Sequence, residues 1–308
     1  MWSQKTYEGK KIPFSFIIDA SNTSQGLNDF IHFLNSNHSA VFTDGITSGI
    51  ALDNHGHIVK YFSTSLDAVI PDNAIVPLTP YRFKEFANMC FTDETGAVWV
   101  GIIAQANGDL LIFKNRALVF AKRNGRWIFL DSNRIIRQIE HCLLVDDEIK
   151  TRFAKELYLS VLDVAFSHTG GCIAIIAEKH TPHIIEQYIF HDYLDNKDER
   201  DEKKDILKRL MIAGMDNDNR AFYELDRKLR QDLLGLDGAT VIDTTGKIIG
   251  SGAIVKIDGG SDEGGRTAAA KQLSCYGFAI KISMDGNIQC FKGSDGDIST
   301  VVKVLTML

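Results

Sequence analysis

Apolar and polar positions alternate between two textures along the chain. FSFIID at 14–19 is an apolar run of strand length, and LNDFIHFLN at 27–35 spaces its apolar residues as a helix would, behind a serine-rich entry. GIALDNHGHIVKYFS at 49–63 reads as a hairpin turning at 54–56. YRFKEFANMC at 81–90 returns to helical spacing, and 98–131 reads as a strand meander with Asn-Gly turns at 107–108 and 124–125. Together these elements predict a mixed α/β domain over residues 1–150.

The second half opens with TRFAKELYLSVLDVAFSHTGG. Phe153, Leu157, Val161 and Ala165 share one helical face there, and Gly170 and Gly171 are expected to stop the helix. The strand CIAIIA follows, then a short helix around 184–190. A charged insertion near 191–210 reads as a solvated helix or loop. NRAFYELDRKLRQDLLG at 219–235 predicts a helix feeding two strands, LDGATVIDTTGKIIGSGAIVKI, that turn at Gly246. Next come a helix from Thr267, a hairpin around 285–286 in FAIKISMDGNIQCF and a final helix from Ile298. No internal repeat stands out. The predicted class is α/β with two domains: an N-terminal mixed domain, and a C-terminal one over 151–308 whose central mixed β-sheet is flanked by helices.

At 308 residues and 44% hydrophobic, the chain has enough apolar side chains for two cores. Its longest apolar runs, VWVGIIA and CIAIIA, fall far short of the ~20 residues that span a bilayer, and the start MWSQKTYEGKK lacks a signal-peptide core. Five scattered cysteines with no CxxC pair fit a reducing compartment, so a cytoplasmic location without a membrane partner or structural zinc is expected. A net charge of −6 argues against duplex nucleic acid as a partner. An anionic ligand would need a local site.

The glycine-rich stretch GGSDEGGRTAAAKQLS at 259–274 is the place to look for one. Residues 260–267 match P-loop spacing, but Arg266 is a planar fork where that motif has a flexible lysine, and only about 40 residues follow. Taken alone, the stretch favours a flexible strand-to-helix connection with Arg266 pairing an acid over a true P-loop.

The wider segment resembles the diadenylate cyclase domain, the module that joins two ATP into cyclic di-AMP. Asp237, Gly238 and Ala239 match that family's Asp-Gly-Ala motif. The family continues with a second strand, a glycine-containing loop, an Arg-His-Arg triplet opening a helix, and a strand ending in serine. Counted back from Ser283, Arg266 falls on the third triplet member and Thr267 on the Thr or Ala after it. Gly264 and Gly265 stand where the family has Arg and His. VLDVAFSHTGGCIAII at 161–176 is similar to the family's opening helix, turn and strand, so the resemblance covers 151–308 with the charged insertion unmatched. The first domain is loosely similar to sensor modules attached to some bacterial members.

The resemblance implies a nucleotide partner, with ATP as substrate or ligand and Mg²⁺ or Mn²⁺ bound by Asp237. Asp237 and Arg266 would be catalytic. Gly238 and Ala239 would admit base and ribose, while Arg266, Thr267 and the backbone of Gly264 and Gly265 would hold phosphate oxygens. Two such sites must meet for cyclisation, implying a homodimer or larger assembly for an enzyme; a degenerate nucleotide-binding sensor would need only one chain. Asp237 and Arg266 are expected to converge on one cleft, within about a nucleotide's length of each other. Asp243, Asp258, Asp262 and Glu263 read as turn acids or metal holders, His55, His57, His180 and His183 as surface histidines, and Trp99 and Trp127 as core.

Overall fold

A computed structural model describes residues 6–7, 10–11, 13–19, 30–35, 42–64, 76–92, 98–196, 202–213, 220–258 and 264–307. The chain forms two compact units, Met1–Ser132 and Asn133–Leu308. Both are mixed α/β, matching the predicted class.

In the first unit β1 (Thr6–Tyr7) and β2 (Lys10–Lys11) form a small ribbon. The main sheet has seven strands: β3 (Phe14–Asp19), β4 (Ser48–Leu52), β5 (Ile58–Ser63), β6 (Trp99–Ala104), β7 (Leu110–Lys114), β8 (Ala117–Arg123) and β9 (Arg126–Phe129). Their order is β5-β4-β3-β6-β7-β8-β9. Helix α1 (Phe30–Asn35) packs Phe30 and Leu34 against Phe14, Ile50 and Leu52. Helix α2 (Lys84–Met89) sets Phe86 edge-on to Phe113 at 5.4 Å. Trp127 departs from expectation: it sits on edge strand β9, 55% exposed, paired with Lys122 rather than in the core. Residues 27–29 of the expected first helix lie outside the described residues.

The second unit contains α3 (Ser132–Cys142), α4 (Asp147–Ser167), β10 (Gly171–Ile176), α5 (Thr181–Gln187), α6 (Glu202–Ile212) and α7 (Arg227–Leu234). It continues with β11 (Ala239–Ile242), β12 (Ile248–Ala253), α8 (Gly265–Ser274), β13 (Gly277–Ile282), β14 (Ile288–Lys292) and β15 (Val302–Met307). Strand β10 is buried along its whole length, because helices cover both faces of its sheet. Cys172, Ala174 and Ile176 face Ala270 and Leu273 of α8, and by alternation Ile173 and Ile175 face the other side.

Three local expectations are corrected. Helix α4 ends at His168 in the left-handed conformation (φ 58°), before either glycine. The helix expected over 219–235 is shorter, because the Asp226 side chain accepts from Lys228 N (2.8 Å) and Leu229 N (3.2 Å) and caps α7 there. The final helix is only a 3₁₀ turn, Ile298–Thr300; β-branched Val302 and Val304 then extend as β15 along β14.

The sheet repeats, although the sequence showed no repeat. The second unit's order is β12-β11-β10-β13-β14-β15, which matches β5-β4-β3-β6-β7-β8 strand for strand. In each, only the β3–β4 and β10–β11 pairs are parallel. Registers coincide as well: Phe16↔Ile50 corresponds to Ile173↔Thr240, Phe14↔Ala104 to Gly171↔Ile282, and Leu52↔Ile58 to Ile242↔Ile248. Even the hairpin turns agree. Asp53 Oδ1 accepts from His55 N (2.9 Å) and His57 N (2.8 Å), as Asp243 Oδ1 does from Thr245 N (2.9 Å) and Lys247 N (3.0 Å).

A buried ion pair ties α4 to α7 in the second unit. Arg227 donates from Nε (2.7 Å) and Nη2 (2.8 Å) to the fully buried carboxylate of Asp163. Removing one partner leaves a buried charge uncompensated, so Asp163→Ala is expected to lower the unfolding free energy by about 3–5 kcal/mol. Urea unfolding checks this; a loss under about 1 kcal/mol, typical of exposed pairs, would contradict it.

Candidate functional site

The site grows from three backbone turns of the second unit. Asp237 and Gly238 lead into β11, and Gly238 has φ 102°. A Cβ there would lie 2.6 Å from both Ala253 O and Gly252 C, so only glycine lets β12 approach. The Asp237 side chain is left 93% exposed at the mouth of the turn.

Arg266 is the second residue of α8, whose amino terminus no side chain caps among the described residues. Its guanidinium lies against the turn between α4 and β10: a Cβ on Gly170 (φ 70°) would be 2.9 Å from Arg266 Nη1. That contact holds the fork, 30% exposed, with Nη2 4.0 Å from Asp237 Oδ1. Arg266 Nε is buried without a hydrogen-bond partner among the described residues. Such a fork has donors to spare for an anion.

Both groups line one cleft of about 190 Å³. Asp237, Gly238, Gly265 and Arg266 form its polar end, and Cys172, Ala253, Ile254, Val255, Ile257 and Ala269 its apolar walls. Burial pushes the Cys172 thiol up to about 12 despite the nearby Arg266 charge, so it stays protonated and serves as apolar floor. The wall segment is fastened at three points. Ile254 N donates to Asp192 Oδ2 (2.9 Å), Lys256 N to Tyr188 O (3.3 Å), and Tyr188 Oη to Asp258 Oδ2 (2.6 Å). Burial, then the Asp258 and Tyr276 hydrogen bonds, raises the Tyr188 hydroxyl well above the ordinary phenol range.

Of the residues singled out from sequence, the structure brings Asp237, Gly238, Gly265 and Arg266 together. Ala239 is buried as the first residue of β11, Gly264 precedes α8, and Thr267 lies in its first turn; none of the three lines the cleft. Asp243 closes the β11–β12 turn and Asp258 anchors the wall, whereas Asp262 and Glu263 lie outside the described residues. The apolar walls and the Tyr188 anchor escaped the sequence reading, because isolated apolar residues after a strand carry no signal of a cleft. So did Lys203, on α6 within the charged insertion, whose Nζ donates to Gly252 O at 3.3 Å. A Cβ on Gly252 would lie 3.4 Å from that ammonium and 3.2 Å from Asp237 O, so Lys203 flanks the Asp-Gly-Ala turn. No cluster of three or more His, Cys, Asp or Glu that could hold a metal exists among the described residues.

No family model matches the chain, and no curated protein matches it. Solved structures similar to it include DacA from Staphylococcus aureus, a double-cysteine variant, at 17% identity and TM-score 0.30, covering 57% of this chain and 89% of that one. Another is a hypothetical membrane spanning protein from Bacillus cereus, at 15% identity and TM-score 0.29, covering 51% and 69%. Likenesses of this size assign no activity. No helix among the described residues is long and apolar enough to cross a membrane.

The turn geometry yields a paired test. Gly238→Ala is expected to cost roughly 1–3 kcal/mol through backbone strain and the clash with β12. Gly265→Ala meets nothing within 4 Å among the described residues and is expected to leave stability unchanged or slightly raised. Equal effects in urea unfolding would contradict this account of the turn.

Proposed function

We propose that the second unit is a nucleotide site of diadenylate cyclase type, which takes ATP with Mg²⁺ or Mn²⁺ and condenses two ATP into cyclic di-AMP or a related dinucleotide. The observation that carries the reading is the convergence of Asp237 and Arg266, 4.0 Å apart, at the polar end of an otherwise apolar cleft beside the amino terminus of α8. The apolar walls suit the flat face of a base, and the polar end suits a phosphate chain.

Asp237 fits a divalent ion in the manner of Mg²⁺ sites that use one carboxylate and complete the shell with substrate phosphates and water. When bound, the ion would supply charge for the phosphates and lower the pKa of the attacking hydroxyl. Arg266 would hold phosphate oxygens through two of its donors, with the amides opening α8 adding the favourable end of the helix dipole. Lys203 would bring a further cation to the Asp237 turn, where the absent Arg and His leave charge lacking. In each half-reaction the 3′-hydroxyl oxygen of one ATP bonds to the α-phosphorus of the other and gives up its proton to solvent, the bond to the β-phosphate oxygen breaks, and pyrophosphate leaves. Each cleft positions one nucleotide, so the pair must be assembled from two chains.

A second reading has its own observation. A Cβ added at Gly264 or Gly265 would meet no atom of the described residues within 4 Å, and neither position supplies a side-chain cation. A nucleotide-binding sensor without turnover fits that loss.

Purified protein with ATP and Mn²⁺ is expected to release pyrophosphate and a cyclic dinucleotide, with Asp237→Asn and Arg266→Ala each losing about 10³-fold or more of the rate. ATP binding without product would identify the sensor, and no binding would contradict both readings. The missing cations also predict that Gly264→Arg combined with Gly265→His tightens ATP binding about tenfold, measured by calorimetry.

A further inference from the structure

Because the two sheets share order, sense and register, each site residue of the second unit has a definable counterpart in the first. Three residues before the registered position Thr240 stands Asp237; three before its counterpart Ile50 stands Thr47. Asp237-Gly238-Ala239 is therefore replaced by Thr47-Ser48-Gly49, and the carboxylate is lost. Cys172, the floor of the cleft, corresponds to Ser15. Arg82 is the second residue of the helical segment entering α2, as Arg266 is of α8.

Among the described residues, the counterpart of the cleft floor is taken up by hydrogen bonds and an aromatic ring. Ser15 Oγ donates to Ser48 O (2.7 Å) and lies 3.2 Å from Thr43 Oγ1, which donates to the same carbonyl at 2.8 Å. Ser15 and Thr43 are both buried. Buried Phe62 closes in from β5: its Cζ would be 2.6 Å from a Cβ on Gly49. Asp44, in the turn before β4, spends one carboxylate oxygen on the amides of Ile46 (2.9 Å), Thr47 (2.7 Å) and Ser48 (3.0 Å). Arg82 retains a guanidinium but lays it over the Phe83 ring at 4.7 Å.

We infer that the chain is a tandem duplication of one fold in which the first copy has closed its nucleotide site, leaving one nucleotide per chain. This rests on the proposed nucleotide reading of the second unit. It follows that the two ATP of a condensation come from two chains and that the first copy cannot serve as the second half-site.

The test is the stoichiometry of a non-hydrolysable ATP analogue with Mn²⁺ on the full chain, by calorimetry and native mass spectrometry. One analogue per chain is expected, abolished in Arg266→Ala and unchanged within about twofold in Arg82→Ala or, should that variant misfold, Arg82→Gln. Two analogues per chain, or loss of binding in a folded Arg82 variant, would overturn the silent first copy while leaving the nucleotide reading intact. No binding by the wild-type chain would sink the nucleotide reading and this inference with it.

Discussion

The close approach of the Arg266 guanidinium to the Gly170 turn is the contact on which the site depends. Without a Cβ at 170, the fork can lie flat against the corner between α4 and β10, which aims it across the cleft at Asp237. Three segments far apart in sequence, around residues 170, 237 and 266, are brought to one end of a single sheet. β11 sits between β10 and β12 there, parallel to the first and antiparallel to the second, so the turns entering β10 and β11 and the connection leaving β12 for α8 emerge as neighbours. Glycine is required at 170 and 238 by backbone conformation and by what lies alongside, and the chemistry of the site is built around those two positions.

Much of the fold was legible in the sequence, for a physical reason. Strands such as FSFIID and CIAIIA, and the hairpins at Asn54–Gly56 and Gly246, announce themselves through local alternation and turn residues, which tertiary context rarely overrides. The failures are where context decides. Residues 298–307 have an ambiguous apolar pattern, and β14 offers an unpaired edge, so the segment extends rather than coils. Asp226 caps a helix that propensity alone would begin earlier. The duplication was invisible because the two units share the geometry of their strands and turns but few residues; LDNHGHI and IDTTGKI coincide only in the aspartate, glycine and isoleucine that shape the hairpin.

The candidate site was legible in its charged pair and not in its walls. Asp237 and Arg266 stood out because a motif places them, whereas Cys172, Ile254 and Ile257 become a surface only once β10, β12 and the segment after it are folded together. Ile254 is 68% exposed, an unusual position for isoleucine, and hydrogen bonds from Ile254 N to Asp192, from Lys256 N to the Tyr188 carbonyl and from the Tyr188 hydroxyl to Asp258 keep its segment in place. Lys203 was unreadable for the opposite reason: it is one lysine among many in a charged helix, and only folding sets it beside the Asp-Gly-Ala turn. Two glycines replaced the charged residues that the resemblance leads one to expect, so the electrostatics of the polar end rest on Arg266 with Lys203 nearby.

That dependence can be measured directly by titrating adenosine, ADP and ATP into the protein with Mn²⁺ present and repeating the series with Arg266→Ala. A phosphate grip predicts affinity that climbs steeply with each added phosphate in the wild type and a nearly flat series in the variant. Equal affinity for adenosine and ATP in the wild type, or a series unaltered by the variant, would contradict it.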